Sequence, residues 1–165
     1  MEEIRQIIIR NKNQGVIVDA NLLLAHIIGI INPRRLSKFT RTSQFDEQSH
    51  KLLVELIGNF NPIITTPNIL TEVCNLLGNL QEPERNQCLS LVKYLIENKA
   101  IFQEFYIESK IAANEICLTR LELTDSVISH LAKKDKYLVL TIDLKLHLHL
   151  LSEGIDSINF NNLLI

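Results

Sequence analysis

The chain has 165 residues, with 46% hydrophobic and 22% charged side chains and only 5 glycines and 4 prolines. That composition supports one packed core and argues against disorder. No apolar run approaches the ~18 residues of a spanning helix, so no membrane partner is expected. The opening MEEIRQIIIRNKNQ carries two acids and a short apolar stretch, unlike a secretory signal. Cys74, Cys88 and Cys117 are scattered and odd in number, which suits buried thiols in a reducing compartment better than a disulfide frame. A single domain over residues 1–165, in the cytoplasm, is the expectation. The formal net charge of −2 speaks weakly against a nucleic-acid partner. With four acids engaged as metal ligands, 17 basic groups face 15 acidic ones (19 − 4), and the sign reverses.

In chain order, GVIVDAN (Gly15 to Asn21) is a β-branched apolar block after a glycine, as in a strand buried on both faces. LLLAHIIGII predicts a helix, followed by a basic loop from Arg34 to Arg41. Phe45 to Phe60 reads as a second helix with acids in its first turn, and Pro62 to Thr66 as a short strand. Thr66 can cap the next helix and Pro67 suits its first turn. Along it, Ile69, Val73, Leu76, Leu77 and Leu80 share one face, while Asn68, Glu72, Asn75 and Asn79 share a polar one. A helix from Pro83 to Asn98, a strand in IFQEFYI and a helix from Ser109 to Ile116 follow. LELTDSVISHLAKKDK predicts a helix from about Asp125, YLVLTID (Tyr137 to Asp143) a buried strand, and Asp143 to Ser152 a helix ending at Gly154. IDSINF closes the pattern as a strand. Strands separated by helices imply a three-layer α/β domain with a mostly parallel sheet and right-handed crossovers.

Ligands bind such sheets outside the carboxyl ends of the strands. Asp19 ends one strand block and Asp143 another, so both belong to that edge. Glu72 lies six residues past Thr66, roughly 9 Å along a helix at ~1.5 Å per residue, and helical side chains lean back toward the N-terminus. Asp125 opens its helix at the same edge. Several ionised carboxylates in one pocket repel unless a cation joins them, and a hard divalent ion such as Mg2+ or Mn2+ takes oxygen ligands. Each acid also has a plainer use. Asp125 suits a helix's positive end, Asp143 an N-cap, and Glu72 a solvated stripe.

VIVDANLLL, TTPNILTEVCNLL, LTDSVISHLA and VLTID, in that order, resemble the four motifs of the PIN-domain family. The resemblance covers about residues 15–160. It implies a PIN-like three-layer fold, with Asp19, Glu72, Asp125 and Asp143 as metal-binding and catalytic acids and Asn21 and Thr141 orienting them. Asp125 and Asp143 are 18 residues apart (143 − 125), a separation typical of the family. The resemblance further implies RNA cleavage with Mg2+ or Mn2+, often by homodimers. In VapC-type toxins a separate antitoxin protein holds the nuclease inactive. Asp19 to Glu72 spans 53 residues (72 − 19), longer than in the compact toxins.

Arg34, Arg35, Lys38 and Arg41 bring four cations with no acid between them, either an RNA-backbone grip or a solvated loop. Lys133, Lys134 and Lys136 suit a helix C-terminus. His147 and His149, two apart on a helix, diverge and make a poor zinc pair. Ser126 and Ser129 beside Asp125 read as hydrogen-bonding supports rather than nucleophiles. The rivals are a non-catalytic PIN-fold module that binds RNA or protein, and a phosphatase or phosphotransferase. The aspartyl-phosphate enzymes commonly need a second Asp near the first, and position 21 is Asn.

Overall fold

A computed structural model describes residues 2–114 and 121–164. Five strands, β1 (Val16–Val18), β2 (Ile63–Thr65), β3 (Phe102–Glu104), β4 (Leu138–Thr141) and β5 (Ser157–Asn159), form one sheet in the order β3-β2-β1-β4-β5. Every pairing is parallel, a stricter result than the mostly parallel sheet expected. The central strands are buried throughout, which explains why their sequences are unbroken apolar runs rather than alternating ones.

The helices are α1 (Glu2–Asn11), α2 (Ala20–Ile31), α3 (Glu47–Ile57), α4 (Pro67–Leu77), α5 (Glu84–Glu97), α6 (Ser109–Ala113), α7 (Leu123–Asp135) and α8 (Leu144–Ser152). Helix α1 is formed by the stretch that sequence marked only as unlike a signal. The end of the helix expected to reach Ile116, and Cys117, lie outside the described residues. The segment expected as a basic loop instead forms two 3-10 helices, Pro33–Lys38 and Thr40–Thr42. It is held from within, because Leu36 and Phe39 are buried and the Thr42 hydroxyl donates to the Leu36 carbonyl at 2.9 Å. Helix α7 begins two residues before Asp125, which therefore sits inside its first turn.

Local chemistry starts α3 and α4 close to where the sequence indicated. Thr66 caps α4 through Ile69 N, and Asp46 and Ser49 cap α3 reciprocally. Ile69, Val73, Leu77 and Leu80 of the predicted apolar face are buried, while Leu76 is half-exposed. Gly15 enters β1 with φ +84°, and a Cβ there would stand 2.7 Å from the Pro62 carbonyl oxygen. Glycine is the residue that meets both demands. Side chains from the sheet and from α2, α3, α4, α5, α7 and α8 join one hydrophobic cluster.

From β1 the chain steps to β2 and then β3 on one side, and afterwards returns to β4 and β5 on the other. Right-handed crossovers therefore place the connecting helices on opposite faces of the sheet. A crevice opens between β1 and β4, where the direction of winding reverses. No helix among the described residues is long and apolar enough to cross a membrane.

Candidate metal centre

The ends of β1 and β4 face each other at that crevice. Val18 pairs with Leu140, and Asp19 N donates to the Leu140 carbonyl at 2.9 Å, the last rung before the chains diverge. Asp19 then caps α2, its Oδ1 accepting from Ala20 N at 2.7 Å. The Thr141 hydroxyl donates to Asp19 Oδ2 at 2.9 Å and accepts from Asp143 N at 2.9 Å. One buried hydroxyl thus ties the two strand-end acids together. Asp143 caps α8 through Oδ1, which accepts from Lys145 N at 2.6 Å and Leu146 N at 3.0 Å. Its cap role and its place at the site are compatible, since these bonds use one carboxylate oxygen.

Glu72 from α4 and Asp125 from α7 complete the group. A cleft of about 540 Å3 is lined by all four acids together with Asn21, Arg41, Leu76, Leu121, Glu122 and Lys145. The Glu122 backbone N–H, at the N-cap of α7, donates to the Asp125 carboxylate.

The charges in this cleft are in conflict. Asp19 is only 4% exposed. Burial raises its pKa to about 6, and the charges of Glu72 and Asp143 add to the rise while the bonds from Thr141 and Ala20 oppose it. Asp125 is pushed to about 7 by burial and then by the negative charges of Asp19, Asp143 and Glu72. Such shifts arise when carboxylates gather without a compensating charge. The donor set, all carboxylate oxygen with a neighbouring amide at Asn21, fits a hard divalent cation and not a thiophilic one. Among the described residues no three Asp, Glu, His or Cys side chains stand as a preformed metal cage. The acids share the cleft as an open set.

Of the four basic residues singled out in sequence, Arg41 alone lines this cleft. Arg34 pairs with Glu47 at 3.5 Å and Arg35 with Glu84 at 3.1 Å, while Arg34 and Lys38 border a separate shallow depression. Their role as a common RNA grip is therefore not supported by position. Ser126 donates to the Glu122 carbonyl at 3.1 Å, close to the site, but Ser129 pairs with His149 at 3.1 Å instead of supporting Asp125. His147 turns the other way, to the Ser157 hydroxyl at 3.0 Å, so the two histidines diverge. Glu122, Lys145, Leu76 and Leu121 also line the cleft and were not singled out in sequence. The spacing that could have found two of them is local. Glu122 precedes Asp125 by one helical turn, and Lys145 follows Asp143 by two residues.

Compared with protein-family profiles, curated proteins and solved structures, the chain matches none.

Proposed function

We propose that this protein is a PIN-type, metal-dependent endoribonuclease, with Asp19, Glu72, Asp125 and Asp143 holding Mg2+ or Mn2+. One observation carries the reading: four carboxylates from four separate segments line one cleft at the switch point of a parallel sheet, and two of them are burdened by the others' charge. The strand order is consistent with a PIN-like topology.

The bound ion would supply a more acidic water and stabilise charge on the phosphoryl and leaving oxygens. The chain's own part is positioning. Thr141 fixes the Asp19 carboxylate and the start of α8 in one hydrogen-bonded unit, so Asp19 and Asp143 are oriented before any ligand arrives. Asn21, in the first turn of α2, adds a neutral amide to the cleft wall. Leu76 and Leu121 give the otherwise polar cleft apolar surface. Cytoplasmic location, homodimerisation and control by a separate antitoxin rest on the reading as well, the last most loosely because of the long interval from Asp19 to Glu72.

Asp19→Asn is expected to lower Mn2+-dependent cleavage of single-stranded RNA by on the order of 10²–10³-fold or more while circular dichroism stays unchanged. Full activity in the purified variant refutes the assignment. The second reading, a PIN-fold module that binds RNA or protein without cleaving, is favoured by the open spacing of the acids. Calorimetric titration with Mn2+ separates the two, since absence of binding to the wild-type chain leaves only the module.

A further inference from the structure

Two of the described cations line the acidic cleft. Arg41 comes from the second 3-10 helix and Lys145 from the first turn of α8. Both are exposed, and among the described residues neither forms an ion pair. Exposed cations elsewhere, such as Lys12 and Lys51, also form no ion pair among the described residues, and what sets Arg41 and Lys145 apart is their place on the wall of the acidic cleft. Arg34 and Arg35, a few residues upstream, reach Glu47 and Glu84, and Lys133 reaches Glu153 at 2.7 Å.

Lys145 is also badly placed for helix electrostatics. It is the second residue of α8, at the positive end of the helix dipole, where a cation is disfavoured. The acid beside it, Asp143, uses Oδ1 to cap the Lys145 backbone N–H, and its carboxylate forms no ion pair with the Lys145 ammonium. Among the described residues Lys145 has no anionic partner, and its place on the cleft wall lets it meet a partner from outside the chain. That partner must be anionic and must tolerate nearby carboxylates. A polyanionic strand meets both conditions, because its phosphates recur along the chain and can meet two cations at once.

We infer that Arg41 and Lys145 form a phosphate clamp, two cations from separate elements that hold backbone phosphates of single-stranded RNA across the acidic cleft. The choice of RNA rests on the ribonuclease reading. The clamp contacts backbone alone, so it sets the path of the strand and carries no base preference. Arg41 offers a planar fork and Lys145 a mobile point charge. Both are positioning residues.

The test measures binding, so it does not depend on cleavage. Fluorescence anisotropy of a labelled oligoribonucleotide is followed against KCl concentration on the Asp19→Asn chain in Mg2+, and on the wild-type chain in EDTA. Arg41→Ala and Lys145→Ala are each expected to lower the slope of log K against log[KCl] by about 0.7, equivalent to about five-fold weaker binding at 0.1 M salt. Arg41→Lys and Lys145→Arg should retain the slope, and Arg34→Ala should leave it unchanged. Equal slopes for Arg41→Ala, Lys145→Ala and their parent overturn the clamp, as does failure of both parent chains to bind the oligonucleotide at low salt. A chain that binds with the clamp's salt dependence but never cleaves refutes the nuclease reading alone. Cleavage by the wild type with unmoved slopes refutes the clamp alone.

Discussion

The two ends of the sheet handle charge in opposite ways. At the amino ends of the strands, Asp156 precedes β5 and is gripped by the Arg10 guanidinium and by Asn11 Nδ2 at 2.8 Å. Burial pushes the Asp156 carboxyl up, but Arg10 and Asn11 together hold it below the usual range. Nearby, Lys133 pairs with Glu153. At the carboxyl ends, Asp19 is buried and Asp125 half-buried near other acids, both are shifted upward, and among the described residues Arg41 and Lys145 form no ion pair. A cleft of about 420 Å3 lies at the amino end too, so concavity does not distinguish the two. Charge satisfaction does. One end is arranged for stability, and the other keeps an electrostatic deficit that a ligand can relieve.

The largest expected effect is on the pH dependence of the metal-free protein. Asp19 and Asp125 keep their protons to higher pH when folded than the ordinary value of 3.8. The native state therefore binds more protons between about pH 4 and 7, and stability falls as pH rises through that window, then levels off. Thermal unfolding in EDTA should show a loss on the order of 3 kcal/mol across it, and Asp125→Asn should flatten the curve. Saturating Mn2+ at pH 7.5 should raise the wild-type Tm more than that of Asp125→Asn. A flat wild-type curve would erase the contrast between the two ends.

Next in size, Asp156→Ala should cost about 1–3 kcal/mol by leaving the buried Asn11 amide short of a partner, with RNA cleavage unaffected. Denaturant unfolding and a cleavage assay on the same sample check both halves. Thr141→Val keeps the shape but removes the hydroxyl between Asp19 and Asp143. It should cost about 1 kcal/mol and move the pH midpoint of metal-free stability upward, because a bond favouring ionised Asp19 is lost. Glu153→Gln should have the smallest effect on stability, read by denaturant unfolding, since its pair with Lys133 is solvent-exposed.

Much of this fold was legible because local and global signals agree. Val16–Val18 and Leu138–Thr141 are continuous apolar blocks since both faces of a central parallel strand are covered. Thr66 and Pro67 announce α4 by capping and fixed backbone geometry. Other parts were not legible. The 3-10 helices after α2 look like a basic loop in sequence, because what organises them is the burial of Leu36 and Phe39 beneath exposed cations. Ser129 stands one turn from Asp125 in sequence yet bonds His149, twenty residues on, which no local spacing could disclose.

The sequence by itself determined that Asp19 directly follows one buried strand and that Asp143 lies just past another, since an acid after an apolar run sits beyond the end of that run. It also determined the helix that carries Glu72, through its cap and its apolar period. Only the tertiary structure decided that β4 lies beside β1, and hence that Thr141 reaches Asp19 across 122 residues of chain. It alone separated Arg41 from Arg34 and Arg35, and added Glu122 and Lys145 to the cleft. The reason is physical: strand neighbours and ion-pair partners are fixed by how the layers pack, and packing joins residues whose separation along the chain carries no local signal.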